Sequence, residues 1–336
     1  MKAIQNILVV MAFDTLETPA MQRAKALAEK TGAMLHLFTV EYNEALLHAG
    51  HKDGAALETA IAEYVSSRRQ QLEFVARQLS ECGLTVKTDV AWGRPAYGVI
   101  TEKVLQLNPD LVIKDIHPES FISKIIFTPE DWLLLRHCPA PLMLVNPKAH
   151  ILPKRVIAAV DPLDMHGKPH ELNSNIIEIA SEIAAQCNAD THIVHAFDDF
   201  PPPSDPMDTG VFMDRSKMAE ENREIHKRAL IDLARQCDVP DEQLHFKDGA
   251  PAKVIAGIAD DIHADLVVLG TVMRHGLNKI LIGSTAEKIL DKINCDVLAV
   301  KPEGFEESLR EEFTDKDWTG MSHSDEHARK LGTHHL

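Results

Sequence analysis

Aromatic residues, cysteines and long apolar runs are all scarce in this sequence. Tyr, Trp and Phe make up 5% of the 336 residues, so the hydrophobic cores must be built mainly from aliphatic side chains. The five cysteines are odd in number and include no Cys-x-x-Cys pair, which argues against a disulfide framework or a zinc knuckle and favours buried or half-buried free thiols. No apolar run approaches the length of a membrane span, and the N-terminal apolar stretch is too short for a signal peptide. We therefore expect a cytoplasmic protein that does not insert into a membrane.

Positive charge is also in short supply. Lys and Arg together number 35 against 51 Asp and Glu, which gives a formal net charge of −16. A chain of this charge repels phosphate backbones and anionic lipid surfaces, and no local basic run offsets it. We expect no nucleic-acid partner, and a small molecule as the ligand.

The sequence repeats itself once. Gly93 and Gly249 each stand in a Gly-x-Pro segment and are 156 residues apart, as are Lys114 and Gly270 at the ends of two apolar runs. Repeats of this kind decide the fold. Four pairs of segments correspond in the same order: 7–14 with 156–161, 92–95 with 248–251, 108–114 with 263–270, and 142–147 with 297–302. The repeat predicts two domains, residues 1–147 and 153–302, joined by a Pro-containing connector.

Apolar strand patterns alternate with amphipathic helical patterns within each copy. Continuous apolar strands separated by helices are typical of a parallel sheet covered on both faces. We therefore predict an α/β fold of two tandem doubly wound domains, each a five-stranded parallel sheet flanked by helices. The tail from 303 to 336 is acidic and lacks apolar periodicity, which predicts a mobile segment. In the first copy the predicted strands are 7–13, 34–40, 85–91, 110–114 and 141–146, and the predicted helices are 18–31, 55–82, 96–107 and 129–137.

Ligands of doubly wound sheets bind beyond the carboxyl ends of the strands, so the residues that follow the strands are the candidates for function. In the second copy Gly270 ends a buried strand, and a missing side chain there permits a tight turn or the close approach of a ligand. The segment 283–285, Gly-Ser-Thr, opens a helix whose free N–H groups suit a phosphate. Such a segment is also a common helix cap with no ligand at all.

These residues resemble the universal stress protein family, in particular its two-domain members, over residues 1–302. The family places the pattern G-x2-G-x9-G-[ST] at the phosphates of a nucleotide, and Gly270, Gly283 and Ser284 occupy three of its positions. The resemblance further implies that Asp161 meets the nucleoside and that Ala196 lines the adenine. An adenine nucleotide, ATP, is the implied ligand. The implied cofactor-binding residues are Asp161, Ala196, Leu269, Gly270, Gly283, Ser284 and Thr285.

The family pattern is incomplete in both copies. Met273 stands at the position of the second glycine, where its side chain would crowd the phosphate loop. The first copy departs further, with Lys114 at the first glycine position and Thr128 at that of Gly283, although Asp14 remains. We expect the first copy not to bind a nucleotide in the family's manner, and we interpret Lys114 as a solvated lysine at a strand end.

Neither a catalytic constellation nor a metal centre is evident from spacing. The 18 histidines occur as pairs without a convergent third ligand, so we predict no metal site, and His195 is interpreted as a core or turn histidine. No nucleophile elbow or phosphate loop of the P-loop type occurs, and no catalytic residue is assigned. The predicted function is a stress-response ligand-binding protein. Two alternatives stay open: a slow ATP-hydrolysing or phosphotransfer enzyme, and a binder of an apolar or mixed small ligand in the same cavity.

The last strand of each copy suggests an assembly. Segments 142–145 and 297–300 are apolar and each is followed by a proline two residues later, and an unpaired apolar strand edge invites association. Family members usually pair their domains through these strands. We expect a pseudo-twofold monomer or a homodimer of such chains.

Overall fold

The computed structural model describes residues 4–12, 17–49, 54–116, 127–148, 150–163, 169–198, 215–271, 282–307 and 309. The chain divides into two compact units, one of residues 153–302 and one of residues 2–152 together with the stretch from Glu303. Both units alternate strands and helices, which confirms the predicted α/β class.

The first unit contains five strands that all run parallel, in the spatial order β3-β2-β1-β4-β5. The order reverses between β1 and β4, and doubly wound sheets open a ligand crevice at such a point. The bounds are β1 Asn6–Val10, α1 Pro19–Thr31, β2 Met34–Glu41, α2 Glu44–Ala49, α3 Gly54–Glu81, β3 Val86–Trp92, α4 Ala96–Leu107, β4 Leu111–Asp115, α5 Pro129–His137 and β5 Leu142–Val145.

The second unit repeats this plan, with five parallel strands in the order β8-β7-β6-β9-β10. The reversal here lies between β6 and β9. The bounds are β6 Arg155–Ala159, α6 Pro169–Cys187, β7 Asp190–Phe197, α7 Arg215–Gln236, a short 3-10 turn Asp241–Gln243, β8 Leu244–Asp248, α8 Pro251–Asp261, β9 Leu266–Gly270, α9 Ser284–Leu290 and β10 Asp296–Val300.

The central strands of both units, β1 and β6, are buried at every residue but the first. The side chains of Ile7 and Val9 in β1 and of Val156 and Ile157 in β6 are inaccessible to solvent. Parallel strands are buried on both faces because their crossover helices cover the two sides of the sheet. This burial explains why the strands are continuous apolar runs in the sequence.

An aspartate ties the strands together in the same way in each copy. The Oδ2 atom of Asp110 accepts the backbone N–H groups of Gln5 and Asn6, both at 3.0 Å. The Oδ2 atom of Asp265 accepts those of Lys154 and Arg155, at 2.7 and 3.1 Å. Each carboxylate thus satisfies backbone donors at the start of the first strand of its copy, which accounts for the recurrence of an aspartate before the fourth strand.

Three local features differ from the sequence prediction or add to it. The helix α2 was not predicted, because six residues give too little periodicity to recognise. Cys82 is exposed rather than buried or half-buried. In the tail predicted to be mobile, Phe305 and Leu309 are buried, whereas residues 310–336 lie outside the described residues.

Among the residues that the structure describes, no helix is both long enough and apolar enough to cross a membrane.

Candidate functional site

Asp161 follows β6 at the carboxyl edge of the second sheet, where the order of the strands reverses. Its carboxylate is largely open to solvent, with 62% of the side chain exposed. Its backbone is fixed by Asn173 of α6, whose Oδ1 accepts the N–H of Asp161 at 3.1 Å and whose Nδ2 donates to its carbonyl at 2.7 Å. The position of Asp161 is therefore set by two hydrogen bonds while its carboxylate stays available.

Asn173 is a residue of this site that sequence reasoning missed. It is buried although asparagine is usually exposed. The signal available in the sequence was a lone amide on the otherwise apolar inner face of the amphipathic α6.

Ala196 and Leu269 lie on β7 and β9, the two strands on either side of β6, and differ in what they offer to a ligand. Ala196 in β7 is half-buried, whereas Leu269 in β9 is only 2% exposed and belongs to the core. Of the two residues predicted to flank a base, only Ala196 presents accessible surface.

Gly270 is required by packing. A Cβ atom at this position would lie 2.9 Å from Cδ2 of Leu172 and 3.1 Å from Cδ1 of Ile176, both on α6. At these distances the side chains of Leu172 and Ile176 would have to shift to admit a Cβ atom. The glycine lets α6 approach the end of β9, so a close helix contact explains it without any ligand.

Gly283 has a different environment at the start of α9. Among the residues that the structure describes, which exclude 272–281, no atom beyond its chain neighbours lies within 4 Å of the position that its Cβ would take, and no side chain caps the helix there. Ser284 and Thr285, the next two residues, are exposed. The first N–H groups of a helix have no partner within the helix, so this end of α9 offers donors and two hydroxyl groups to an anion.

The corresponding position in the first copy is closed by its own side chains. Thr128 and Asp131 form a reciprocal capping box at the start of α5, in which Asp131 Oδ2 accepts the N–H of Thr128 at 2.8 Å and Thr128 Oγ1 accepts the N–H of Asp131 at 3.2 Å. The other carboxylate oxygen of Asp131 accepts a hydrogen bond from Lys114 Nζ at 2.8 Å. A carboxylate of the protein therefore stands where a bound anion would need to be.

The interpretation of Lys114 as a solvated lysine is wrong. Its side chain is only 7% exposed, and its ion-pair partner Asp131 is not exposed at all. Asp115, the next residue, is also buried and accepts the N–H of Ala20 at 2.7 Å at the start of α1. The polar groups at this edge of the first sheet serve internal contacts.

Two histidines meet beside Asp161, and sequence reasoning missed the second of them. His195 in β7 is 3% exposed, and its Nε2 lies 2.9 Å from Nδ1 of His226 in α7. Burial lowers the pKa of His195, while the nearby carboxylate of Asp161 acts in the opposite direction. No spacing rule could have joined residues 31 positions apart on a strand and a helix. The convergence of Asp161, His195 and His226 contrasts with the predicted absence of a three-ligand cluster.

Two residues on which the sequence argument depends, Met273 and Asp14, lie outside the described residues.

The fold and the placement of these residues define a tandem α/β protein with two doubly wound units that differ at the carboxyl edge of their sheets. Residues 3–146 and 153–301 each match the universal stress protein family. The chain belongs to the universal stress protein family, with the family domain present twice.

Curated relatives and a solved structure share the two-domain plan. Universal stress protein E of Photorhabdus laumondii is 30% identical over 313 residues, which cover 90% of this chain and 96% of that protein. Universal stress protein E of Salmonella typhi is 29% identical and covers 94% of this chain and all of its own length. A crystal structure of a functionally unknown protein from Pseudomonas aeruginosa covers 94% of this chain and 98% of its own, at 29% identity and a TM-score of 0.74. A universal stress protein from Archaeoglobus fulgidus shares the fold at 16% identity, with a TM-score of 0.58 over 88% of this chain and 98% of its own.

Proposed function

We propose that this chain is a cytoplasmic stress-response protein that binds a small ligand, an adenine nucleotide such as ATP, in its second copy alone. The first copy serves as a structural partner without a nucleotide. Membership of the universal stress protein family supports the general class, and the difference between the two copies supports the assignment of the site.

The observation that carries the proposal is the contrast between the starts of α9 and α5. At α9, the described part of the chain leaves open space beside Gly283 and provides no side-chain cap. At α5, Asp131 caps the helix and binds Lys114. A phosphate needs unpaired N–H donors, and the positive end of a helix dipole favours it further. The second copy can supply both, whereas the first has already used them.

The remaining residues take roles that follow from their exposure. In this proposal the phosphates bind the N–H groups and hydroxyls of 283–285, Asp161 accepts hydrogen bonds from the ribose, and Ala196 lines the base. Gly270 and Leu269 support the site from within, because the first packs against α6 and the second is buried.

The test is calorimetric titration of ATP into the wild type and into Gly283→Asp. The substitution places a carboxylate at the phosphate site, and hydrogen bonds to charged groups are worth about 1.5–3 kcal/mol each. We expect ATP affinity to fall at least tenfold, roughly the effect of one such bond. Gly257→Asp is the matched control: Gly257 is exposed, lies in α8 and also has no atom within 4 Å of its Cβ position.

Loss of binding in this variant can be separated from loss of fold. Aspartate is a preferred helix N-cap residue and exceeds glycine by a few tenths of a kcal/mol. Gly283→Asp should therefore unfold at the same urea concentration as the wild type or slightly above it. Unchanged ATP affinity in this variant, or no binding by the wild type at millimolar ATP, would refute the assignment.

The two alternative functions give different results with the same protein. Steady release of phosphate from magnesium-ATP, lost in Gly283→Asp, would identify an enzyme. Absence of ATP binding together with retention of an apolar ligand, seen by native mass spectrometry of protein purified from its host, would identify the cavity as one for apolar or mixed ligands.

A further inference from the structure

A carboxylate and two imidazoles converge at the carboxyl edge of the second sheet. One ligand atom from each of Asp161, His195 and His226 lies within 4.8 Å of the other two. The shortest separation joins Nε2 of His195 to Nδ1 of His226, at 2.9 Å. The ring planes are nearly parallel, with an interplanar angle of 3°, and the contact is a hydrogen bond in which one of the two nitrogens carries the proton.

The second nitrogen of His195 has a fixed partner. Its Nδ1 lies 3.0 Å from the carbonyl oxygen of Val160, which can only accept a hydrogen bond. Nδ1 must therefore carry the proton, which leaves a lone pair on Nε2. Metal-binding histidines are usually held in this way, with the outer N–H donated to a carbonyl or carboxylate so that the tautomer and ring orientation are fixed.

The other two groups can adjust around His195. Asp161 Oδ1 lies 4.0 Å from His195 Nδ1, and its exposed side chain can rotate while Asn173 holds its backbone. His226 is half-buried and its ring contacts Phe197, with 4.9 Å between ring centroids. When an ion binds, the proton on Nδ1 of His226 moves to Nε2. The imidazole therefore stays neutral and no proton is released.

We propose that Asp161, His195 and His226 bind one divalent first-row transition-metal ion, with zinc as the best match. Neutral imidazole and carboxylate ligands suit zinc, which binds three protein ligands and one water in open sites. Two nitrogens at zinc bond lengths and tetrahedral angles stand about 3.3 Å apart. The histidine pair must therefore open by a few tenths of an ångström, and the rings must tilt so that both nitrogens point at the ion rather than at each other.

The same unit provides an internal comparison. His192 in β7 and His245 in β8 also meet, with Nδ1 and Nε2 3.1 Å apart. Among the described residues this pair has no third ligand atom close enough to complete a group of three. A histidine pair without a carboxylate is expected to bind a metal ion weakly, so this pair is the matched control.

The test is a zinc titration of the full chain after removal of metal with a chelator. The wild type, His226→Gln, Asp161→Asn and the control His245→Gln are compared by calorimetry, and Co²⁺ absorption in the visible range reports the ligand geometry. We expect the wild type and His245→Gln to bind one equivalent that His226→Gln loses. Loss of an outer-shell partner alone costs about 10–100-fold in metal affinity, and loss of the Asp161 ligand should cost at least the upper part of that range.

The measured quantity is the difference in bound zinc between the wild type and each variant, because other histidines of the chain can also bind zinc. If His226→Gln and Asp161→Asn bind zinc with the wild-type number of equivalents and affinity, the proposal is overturned. Circular dichroism checks the fold of each variant, and Asp161→Asn alters an exposed side chain, so one informative variant is expected to fold in any case.

The metal site does not depend on the proposed nucleotide site, although both use Asp161. His226→Gln should lose the zinc equivalent and retain ATP affinity. A wild type that binds zinc but no ATP would refute only the nucleotide proposal. A wild type that binds ATP but not the zinc equivalent would refute only the metal site.

Discussion

Lys114 and Asp131 show how two residues can change the use of a shared fold. In the second copy the position of Lys114 is held by Gly270, which makes room for α6. In the first copy the lysine is buried and its ammonium group binds a carboxylate that also caps α5. A buried charge is costly without a partner, so each residue makes the other necessary.

Replacing Asp131 should therefore destabilise the first unit. Asp131→Ala removes the nearest carboxylate from Lys114 Nζ, which keeps Glu130 Oε1 at 4.0 Å, and also removes two hydrogen bonds from Thr128. Breaking a buried pair by removing one partner costs about 3–5 kcal/mol, because the remaining charge stays buried. Urea unfolding followed by circular dichroism should show a loss of stability of this size.

The double variant Lys114→Met, Asp131→Leu is the control for this interpretation. Replacement of both charges by apolar side chains of similar volume is often neutral for stability, apart from the loss of the helix cap, which is worth about 1 kcal/mol. The double variant should recover most of the loss. If it is no more stable than Asp131→Ala, the buried charge is not the cause.

The error over Lys114 has a physical origin in the sequence. A lysine at the end of a strand is usually solvated, and nothing near residue 114 suggested otherwise. The signal lay at residues 128–131, Thr-Pro-Glu-Asp, where a threonine and an acid three residues later are typical of a capping box. That pattern predicts a helix start, but only the sheet topology brings it to the end of β4.

At the scale of elements, local patterns predicted most of the fold. The helix predicted over 129–137 coincides with α5, and the helix predicted over 96–107 coincides with α4. Both begin at or next to a proline, which fixes the backbone at a helix start. The six-residue α2 was missed because a single turn and a half carries no usable periodicity.

The histidine cluster could not be predicted in the same way. His226 meets His195 only because α7 packs along β7 in one particular register, with Arg223 paired to Asp248 at 3.0 Å. Sequence periodicity predicts which face of a helix is buried. It does not predict where along the strand axis the helix packs. A contact of this kind depends on the packed unit.

Histidines on the strands make stability depend on pH. Burial lowers the pKa of His36 in β2, of His192 and His195 in β7 and of His245 in β8. In the unfolded chain each has a pKa of about 6.5, so the unfolded state takes up protons first as the pH falls. The contribution of these histidines to the free energy of unfolding is therefore fully present above the unfolded-state pKa. It declines as the pH falls below that value and is lost once the pH passes the lowered pKa of the folded state.

His36→Leu should reduce this dependence in the first unit. Nε2 of His36 is buried and has no hydrogen-bond partner among the residues that the structure describes, so its removal should leave stability at pH 7.5 unchanged or raised. Asp89 raises the pKa of His36, whereas Lys103, Lys87 and above all burial lower it. Urea unfolding at pH 7.5 and 5.5 should show a smaller loss for His36→Leu than for the wild type, and an equal or larger loss would contradict the argument.

At the scale of the whole molecule, the two copies share one fold and differ at the carboxyl edges of their sheets. Asp110 and Asp265 bind backbone donors in the same way, which shows that the structural contacts have been retained. The carboxyl edges of the two sheets differ: α5 of the first is capped by Thr128 and Asp131 with an ion pair to Lys114, whereas among the described residues no side chain caps α9 of the second. A duplicated domain can lose its site in one copy without loss of the core, because the site lies beyond the strands.

The difference between the two copies, together with the proposed nucleotide site, predicts that each chain binds one equivalent of ATP rather than two. With a formal charge of −16 the protein attracts no anion at long range, so binding depends on local donors. The second copy has such donors at α9, whereas in the first copy the carboxylate of Asp131 occupies the corresponding helix start. A native mass spectrum with added ATP should show one nucleotide per chain in either a monomer or a homodimer. Two nucleotides per chain would mean that the first copy opens its ion pair to an anion, and Lys114→Gly should then alter the second equivalent and not the first.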